Sequence, residues 1–325
     1  MKIGLIGLPN AGKTTIFNAL TRSEAPVAAY AMAGTDPNLA VVDVADDRVS
    51  RLSEIYQPQK ITYAAIEFID FPGLIDGAAR DGLFDNMSMG LIRNTDALAL
   101  VVRNFPDDLA GPPAALKDIE KIEEELLISD MVIVENRLER IEHAYMRGKR
   151  DHALETEEKI LRGILDHLTD NGAIRDLDLD GEQEKRIRGF QFLTRKPLMI
   201  ILNSTEHNFG KNQDLFGRIQ KRYRVVEFAG QFEMELSRLT DREDVTLFME
   251  DMGIEVSARD RLTRLAYEIL GYISFFTVGA DEVRAWSIQK GNTALNAAGT
   301  IHSDLARGFI RAECFSYDDL MACGN

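Results

Sequence analysis

The chain of 325 residues is long for a single hydrophobic core, because domains usually hold about 100 to 200 residues, so two or three domains are expected. Apolar residues make up 45% and charged residues 28%, and no apolar run approaches the roughly 20 residues needed to cross a bilayer, which argues against a membrane protein. A net charge of −15 argues against a general DNA or RNA binder, so any RNA contact must use a local patch of Lys and Arg.

The amino terminus, MKIGLIGLPN, is too short and too interrupted by Gly and Asn for a signal peptide, which places the protein in the cytoplasm. Residues 2–8 read as a strand, 9–13 as a turn and Thr14 to Leu20 as a helix. Further strands are expected at 39–44, 64–70, 97–102, 197–203 and 224–228, several apolar nearly throughout, as strands buried on both faces should be. Helical stretches separate them, so the sheet is expected to be mostly parallel and the fold class α/β.

Between about 106 and 193 the character changes to long charged helices. Ile119, Ile122, Leu126, Ile133, Leu138, Ile141 and Tyr145 recur at helical spacing, and Leu161, Leu165 and Leu168 share a second face. An antiparallel helical hairpin follows, with Arg137, Arg140, Arg147, Lys149 and Arg150 toward its tip. From about 271 the segments ISFFTVG, VRAWSIQKG, AAGTIHSD and GFIRAECFS, punctuated by Gly, read as short strands of a small β-rich domain. The expected division is 1–105 plus 194–270 for a nucleotide-binding domain, 106–193 for a helical insertion and 271–325 for the terminal domain. Cys314 and Cys323 show neither metal-site spacing nor a disulfide framework.

Gly7-Leu-Pro-Asn-Ala-Gly12-Lys13-Thr14 is GxxxxGK[ST] directly after a strand and opening a helix. Its glycines let backbone amides approach the β-phosphate at a helix N-terminus, Lys13 reaches the β- and γ-phosphates, and the Thr14 hydroxyl ligates Mg²⁺. Asp70-Phe-Pro-Gly73 ends a buried strand, where a carboxylate holds Mg²⁺ through water and the Gly73 amide bonds the γ-phosphate. Thr35, in the polar loop AGTDPN, stands where a mobile threonine closes on Mg²⁺ and the γ-phosphate.

Asn203-Ser-Thr-Glu206 ends another buried strand, where guanine-specific members of this class carry Asn-Lys-x-Asp. A longer acid and a missing Lys point to adenine or to loose selectivity, because a buried polar mismatch is costly. Leu74 follows Gly73 where Ras-like enzymes place a water-orienting Gln, so intrinsic hydrolysis is expected to be slow. Two readings of Asn10 stay open: a residue that supports a potassium ion beside the phosphates, and a turn-former with no cation.

The segments GLPNAGKTTIFNALT, DFPGL, IRNTDALALVVRNF, NSTE and FFTVGADEVRAWSIQKGNTALNAAGTIHSDLARGFIRAE together closely resemble the YchF-type Obg-like ATPases, Obg-related P-loop NTPases of the TRAFAC class. The likeness runs from Met1 to about Leu320. It implies a coiled-coil arm, a ubiquitin-like β-grasp (TGS) domain, and a cytoplasmic, monomeric ATPase that also binds GTP. It further implies association with the 70S ribosome and its 50S subunit, and a role in translation or stress control. By the family's motifs, nucleotide binding falls on Asn10, Ala11, Gly12, Lys13, Thr14, Thr15, Asn203 and Glu206, with Leu202 or Ser204 beside the adenine. Catalytic roles fall on Lys13, Thr35 and Gly73, and Mg²⁺ on Thr14, Thr35 and Asp70. The chain departs from the family in its second switch, GAARDGLFDNMSMG, and in Phe228 before Ala229. The resemblance also expects further TGS strands beyond Asn325, without which a sheet edge is exposed. Two other readings are a nucleotide-gated ribosome- or RNA-binding module with negligible turnover and a true GTPase.

Overall fold

A computed structural model describes residues 1–21, 37–71, 86–107, 111–239 and 241–323. Thr35, Gly73 and Leu74 lie outside the described residues. In chain order the elements are β1 (Lys2–Ile6), α1 (Lys13–Thr21), β2 (Asn38–Asp43), α2 (Asp47–Tyr56), β3 (Lys60–Thr62), β4 (Ala65–Asp70), α3 (Asn86–Arg93) and β5 (Ala97–Asn104). The long helices α4 (Ala115–Met146) and α5 (His152–Thr169) follow, then α6 (Gly181–Ile187), β6 (Leu198–Ser204), α7 (Gln213–Gln220), β7 (Arg224–Phe228), α8 (Gly230–Arg238) and α9 (Arg242–Asp251). Next come α10 (Ala258–Ile269), β8 (Tyr272–Thr277), β9 (Glu282–Gln289), α11 (Ala294–Ile301), α12 (Ser303–Arg307) and α13 (Tyr317–Cys323). Two compact units result, one of residues 1–40 and 68–253, the other of 41–67 and 254–325.

The main sheet has the strand order β2-β4-β1-β5-β6-β7. β1, β5, β6 and β7 pair in parallel, as the alternation of strands and helices leads one to expect. Every residue of β5 and β6 is buried, which is why ALALVVRN and LMIILNS read as continuous apolar runs rather than alternating ones. Their outer neighbours in the core include Ile6, Phe71, Ile119, Ile122 and Leu126.

Helix α4 serves two cores in succession. Its first turns place Ala115, Ile119, Ile122 and Leu126 against the sheet, while Leu127, Val134 and Ile141 pack with Leu161, Ile164 and Leu168 of α5. Gly148, at φ 73°, supplies the left-handed residue at the turn, and Asp151 caps α5 by accepting from the Leu154 amide at 2.9 Å. Arg137 forks onto Glu157 at 2.7 and 2.9 Å and so staples the two helices together. Arg150 pairs with Glu155 at 2.7 Å, and Arg140, Arg147, Lys149 and Arg150 are exposed. Among the described residues no helix is long and apolar enough to cross a membrane.

In the second unit β3 runs parallel to β9, and β8 antiparallel to it. The first two expected strands of the terminal region are present as β8 and β9. The next two are not: AAGTIHSD falls in α11 and α12, and residues 308–316 form no strand. The cause is local, since Thr293 and Asn296 close a capping box at the start of an Ala-rich, helix-favouring run.

Candidate phosphate and nucleobase site

The loop between β1 and α1 has a conformation that its sequence dictates. Gly7 sits at φ 154°, and a Cβ there would lie 2.5 Å from the Val101 carbonyl oxygen. Gly12 sits at φ 86°, where a Cβ would come within 2.2 Å of Asn203 Nδ2. Asn10 adopts φ 61°, a left-handed geometry that Asn tolerates better than most residues, so the loop has a backbone reason for Asn at this position. The free amides at the start of α1 and the helix dipole make the loop an anion cradle.

Lys13 is buried, and its ammonium donates to the Gly7 carbonyl at 3.2 Å and the Leu8 carbonyl at 3.0 Å. Burial lowers its pKa to about 8, against the attraction of Asp70. Asp70 ends β4 and is also buried. Thr14 Oγ1 donates to its Oδ2 at 2.9 Å and Asn38 Nδ2 donates to the same oxygen at 3.3 Å. Burial pushes the Asp70 carboxyl above the usual range, opposed by these two hydrogen bonds and by Lys13. Its other oxygen, Oδ1, is buried without a hydrogen-bond partner in the described structure. An orphaned anionic oxygen beside a threonine hydroxyl suits a hard divalent cation with oxygen ligands, so Thr14 and Asp70 fit Mg²⁺.

Asn203, at the end of β6, is buried between two loops. Its Nδ2 donates to the Ala11 carbonyl at 3.0 Å and its Oδ1 accepts from the Gly230 amide at 3.1 Å. Leu202 is wholly buried in the sheet core, and Ser204 is turned inward, its hydroxyl donating to Glu227 at 2.6 Å. Glu206 is exposed on a short 3₁₀ turn, 206–208, capped by Thr205. Thr15 is half-buried in the first turn of α1. The structure therefore brings Ala11, Gly12, Lys13, Thr14, Asp70 and Asn203 together. Leu202 lies in the core behind them. Sequence reading missed Asn38, which carries no motif, and also Asn104, Asn212 and Glu227, whose mutual contacts through Ser204 form only once β5, β6 and β7 and the loop after β6 are assembled.

The family model described as 50S ribosome-binding GTPase matches residues 2–137, and the YchF-GTPase_C model, described as a protein of unknown function (DUF933), matches residues 272–325. A ribosome-binding ATPase YchF from Haemophilus ducreyi is 38% identical, across 98% of this chain and 90% of the relative. The protein of that name from Bacillus subtilis is 36% identical, across 99% of this chain and 90% of its own. Among solved structures, the YchF GTPase of Schizosaccharomyces pombe superposes with a TM-score of 0.81 at 30% identity, covering 99% of this chain and 89% of that one. The GxxxxGK[ST] loop, the buried Asp70 carboxylate and Asn203 occur here on one mostly parallel sheet, and 36–38% identity runs nearly from end to end, so the chain belongs to the YchF family of P-loop nucleotide triphosphatases.

Proposed function

We propose that this protein is a ribosome-associated ATPase that binds and hydrolyses ATP, accepts GTP as a weaker ligand, and regulates translation or the stress response. The observation that carries the nucleotide reading is the Thr14–Asp70 hydrogen bond beside the buried Lys13 ammonium, with Asp70 Oδ1 left over for a cation. Lys13 and the amides of Asn10 to Thr15 neutralise phosphate charge, and Thr14 and Asp70 hold Mg²⁺, with Thr35 and Gly73 acting from the switch segments. The ion supplies electrostatic stabilisation of the phosphate oxygens. Adenine is favoured by Asn203 and Glu206, which lack the Lys and the Asp of guanine readers. The curated relatives' names support ATP as substrate and the ribosome as partner.

The finer assignments belong to the same proposal: 70S and 50S particles as partners, a cytoplasmic monomer, slow intrinsic turnover because of Leu74, and potassium beside Asn10. Competition between ATP and GTP in Mg²⁺ and potassium tests the adenine reading, and GTP preference well above about tenfold would overturn it. A second reading, a nucleotide-gated ribosome- or RNA-binding module with negligible turnover, is favoured by Leu74 and the altered second switch. Single-turnover hydrolysis in potassium and in sodium separates the two, because an ion-assisted enzyme loses rate in sodium.

A further inference from the structure

Behind the base motif lies a buried polar cluster whose Asn104, Asn212 and Glu227 the nucleotide reading does not use. The register sets Asn104 beside Ser204 and Leu202 beside Glu227, so Asn104, Ser204 and Glu227 share one face of the parallel sheet. Asn104 Nδ2 donates to Ser204 Oγ at 2.9 Å, which leaves the Ser204 proton for Glu227 Oε1 at 2.6 Å. Asn212 Nδ2 donates to the same carboxylate oxygen at 2.6 Å and to the Asn208 carbonyl at 2.6 Å. The other carboxylate oxygen, Oε2, accepts from the Gly210 amide at 3.2 Å. Glu227 is only 8% exposed.

The turn that bears Glu206 is thus fastened at both ends. On one side Asn203 is clamped to Ala11 and Gly230, and on the other Gly210 and Asn212 are clamped to Glu227. Ser204 occupies the position where guanine readers carry a ring-packing Lys, yet here its side chain serves the interior. A carboxylate is the one side chain of this size that accepts on both oxygens, so Gln at 227 would turn an amide NH₂ toward a donor. Recognition of a base edge requires its reading group to be held by locked neighbours.

We propose that Glu227 is a positioning residue for nucleobase selection, holding the 205–212 loop so that Glu206 meets the base. The inference rests on the reading that Asn203 and Glu206 face the nucleobase. The test titrates the wild type, Glu227→Gln and Asn212→Ala with ATP, GTP and inorganic tripolyphosphate, which has no base, and records thermal stability of each. Asn212 is half-buried, so its variant keeps the test readable if the glutamine variant loses its fold. The expected result is an ATP-to-GTP affinity ratio that moves toward one by about tenfold in both variants, while tripolyphosphate binding stays within about twofold. An unchanged ratio, or an equal loss for all three ligands, overturns the positioning role. If wild-type protein binds tripolyphosphate as tightly as ATP, the base-contact reading itself fails and this inference falls with it.

Discussion

Asn203 Nδ2 donates to the Ala11 carbonyl at 3.0 Å across 192 residues of sequence, tying the end of β6 to the phosphate loop. The same side chain explains two glycines, because a Cβ at Gly12 or Gly230 would come within 2.2 or 2.6 Å of its amide. Replacing Asn203 with Ala leaves the Ala11 carbonyl and the Gly230 amide without partners. Stability should fall by about 2–4 kcal/mol in chemical denaturation, and ATP and GTP should both bind more weakly, with the ATP-to-GTP ratio moving toward one because the base-reading turn loses its clamp at that end.

Asp70→Asn keeps the acceptor for Thr14 but removes the anionic oxygen set aside for the cation. ATP affinity in Mg²⁺ should drop by about 10- to 100-fold, while affinity in EDTA changes little. Calorimetric titration in both conditions measures the difference. Equal losses in both would count against a metal role.

Lys13 links binding to pH. Its folded pKa, about 8, lies below the ordinary 10.5, so between these values the unfolded chain carries the extra proton and stability rises with pH. Below about pH 8 the full cost of a buried ammonium is present. Phosphates beside Lys13 favour its charged form, so ATP binding at pH 8 should take up about half a proton and weaken as pH rises further. Titration in buffers of different ionisation enthalpy gives the proton count, and Lys13→Met should abolish it.

Two of the basic residues near the hairpin tip are engaged by neighbouring acids, Arg137 by Glu157 and Arg150 by Glu155. Arg140, Arg147 and Lys149 are exposed. Reversing these three to Glu should weaken co-sedimentation with 70S and 50S particles and lower the salt slope by roughly 2 to 3, without shifting the melting temperature. Arg137→Glu should instead destabilise the hairpin, by about 1 kcal/mol or more, because it sets two acids against each other on packed helices.

Asp130, wholly buried in α4, joins three segments: it accepts from Arg93 of α3 at 3.1 Å and from the amides of Leu193 and Thr194 at 3.0 and 2.7 Å. Asp130→Ala leaves the Leu193 and Thr194 amides unpaired and the half-buried Arg93 charge without its carboxylate, held only by Ser129 and the Gln191 carbonyl, and should cost about 3–5 kcal/mol, read by denaturant midpoint. A loss under about 1 kcal/mol would show that the junction relaxes around the change.

The phosphate loop was legible because its chemistry is contiguous: Gly7, Gly12, Lys13 and Thr14 lie within eight residues, and the φ angles and close approaches of the two glycines permit few alternatives. The buried strands β5 and β6 were legible for the same local reason, as apolar runs that end in polar residues. The terminal region misled, since AAGTIHSD carries glycine punctuation that looks like a strand boundary while its Ala content and capping box make a helix.

Local pattern was therefore enough for the parallel sheet, the cradle for phosphate and the helical hairpin, each encoded by spacing within a few turns, while the family was carried by the resemblance of segments along nearly the whole chain. Tertiary structure alone decided which polar groups meet: Thr14 with Asp70 across 56 residues, Asn203 with the Ala11 carbonyl across 192, Ser204 with Glu227 across 23, and Thr62 with Glu282 across 220, where β3 joins β9. Such pairs leave no periodic trace, because a hydrogen bond between strands depends on register and face, and these arise only when the sheet has assembled.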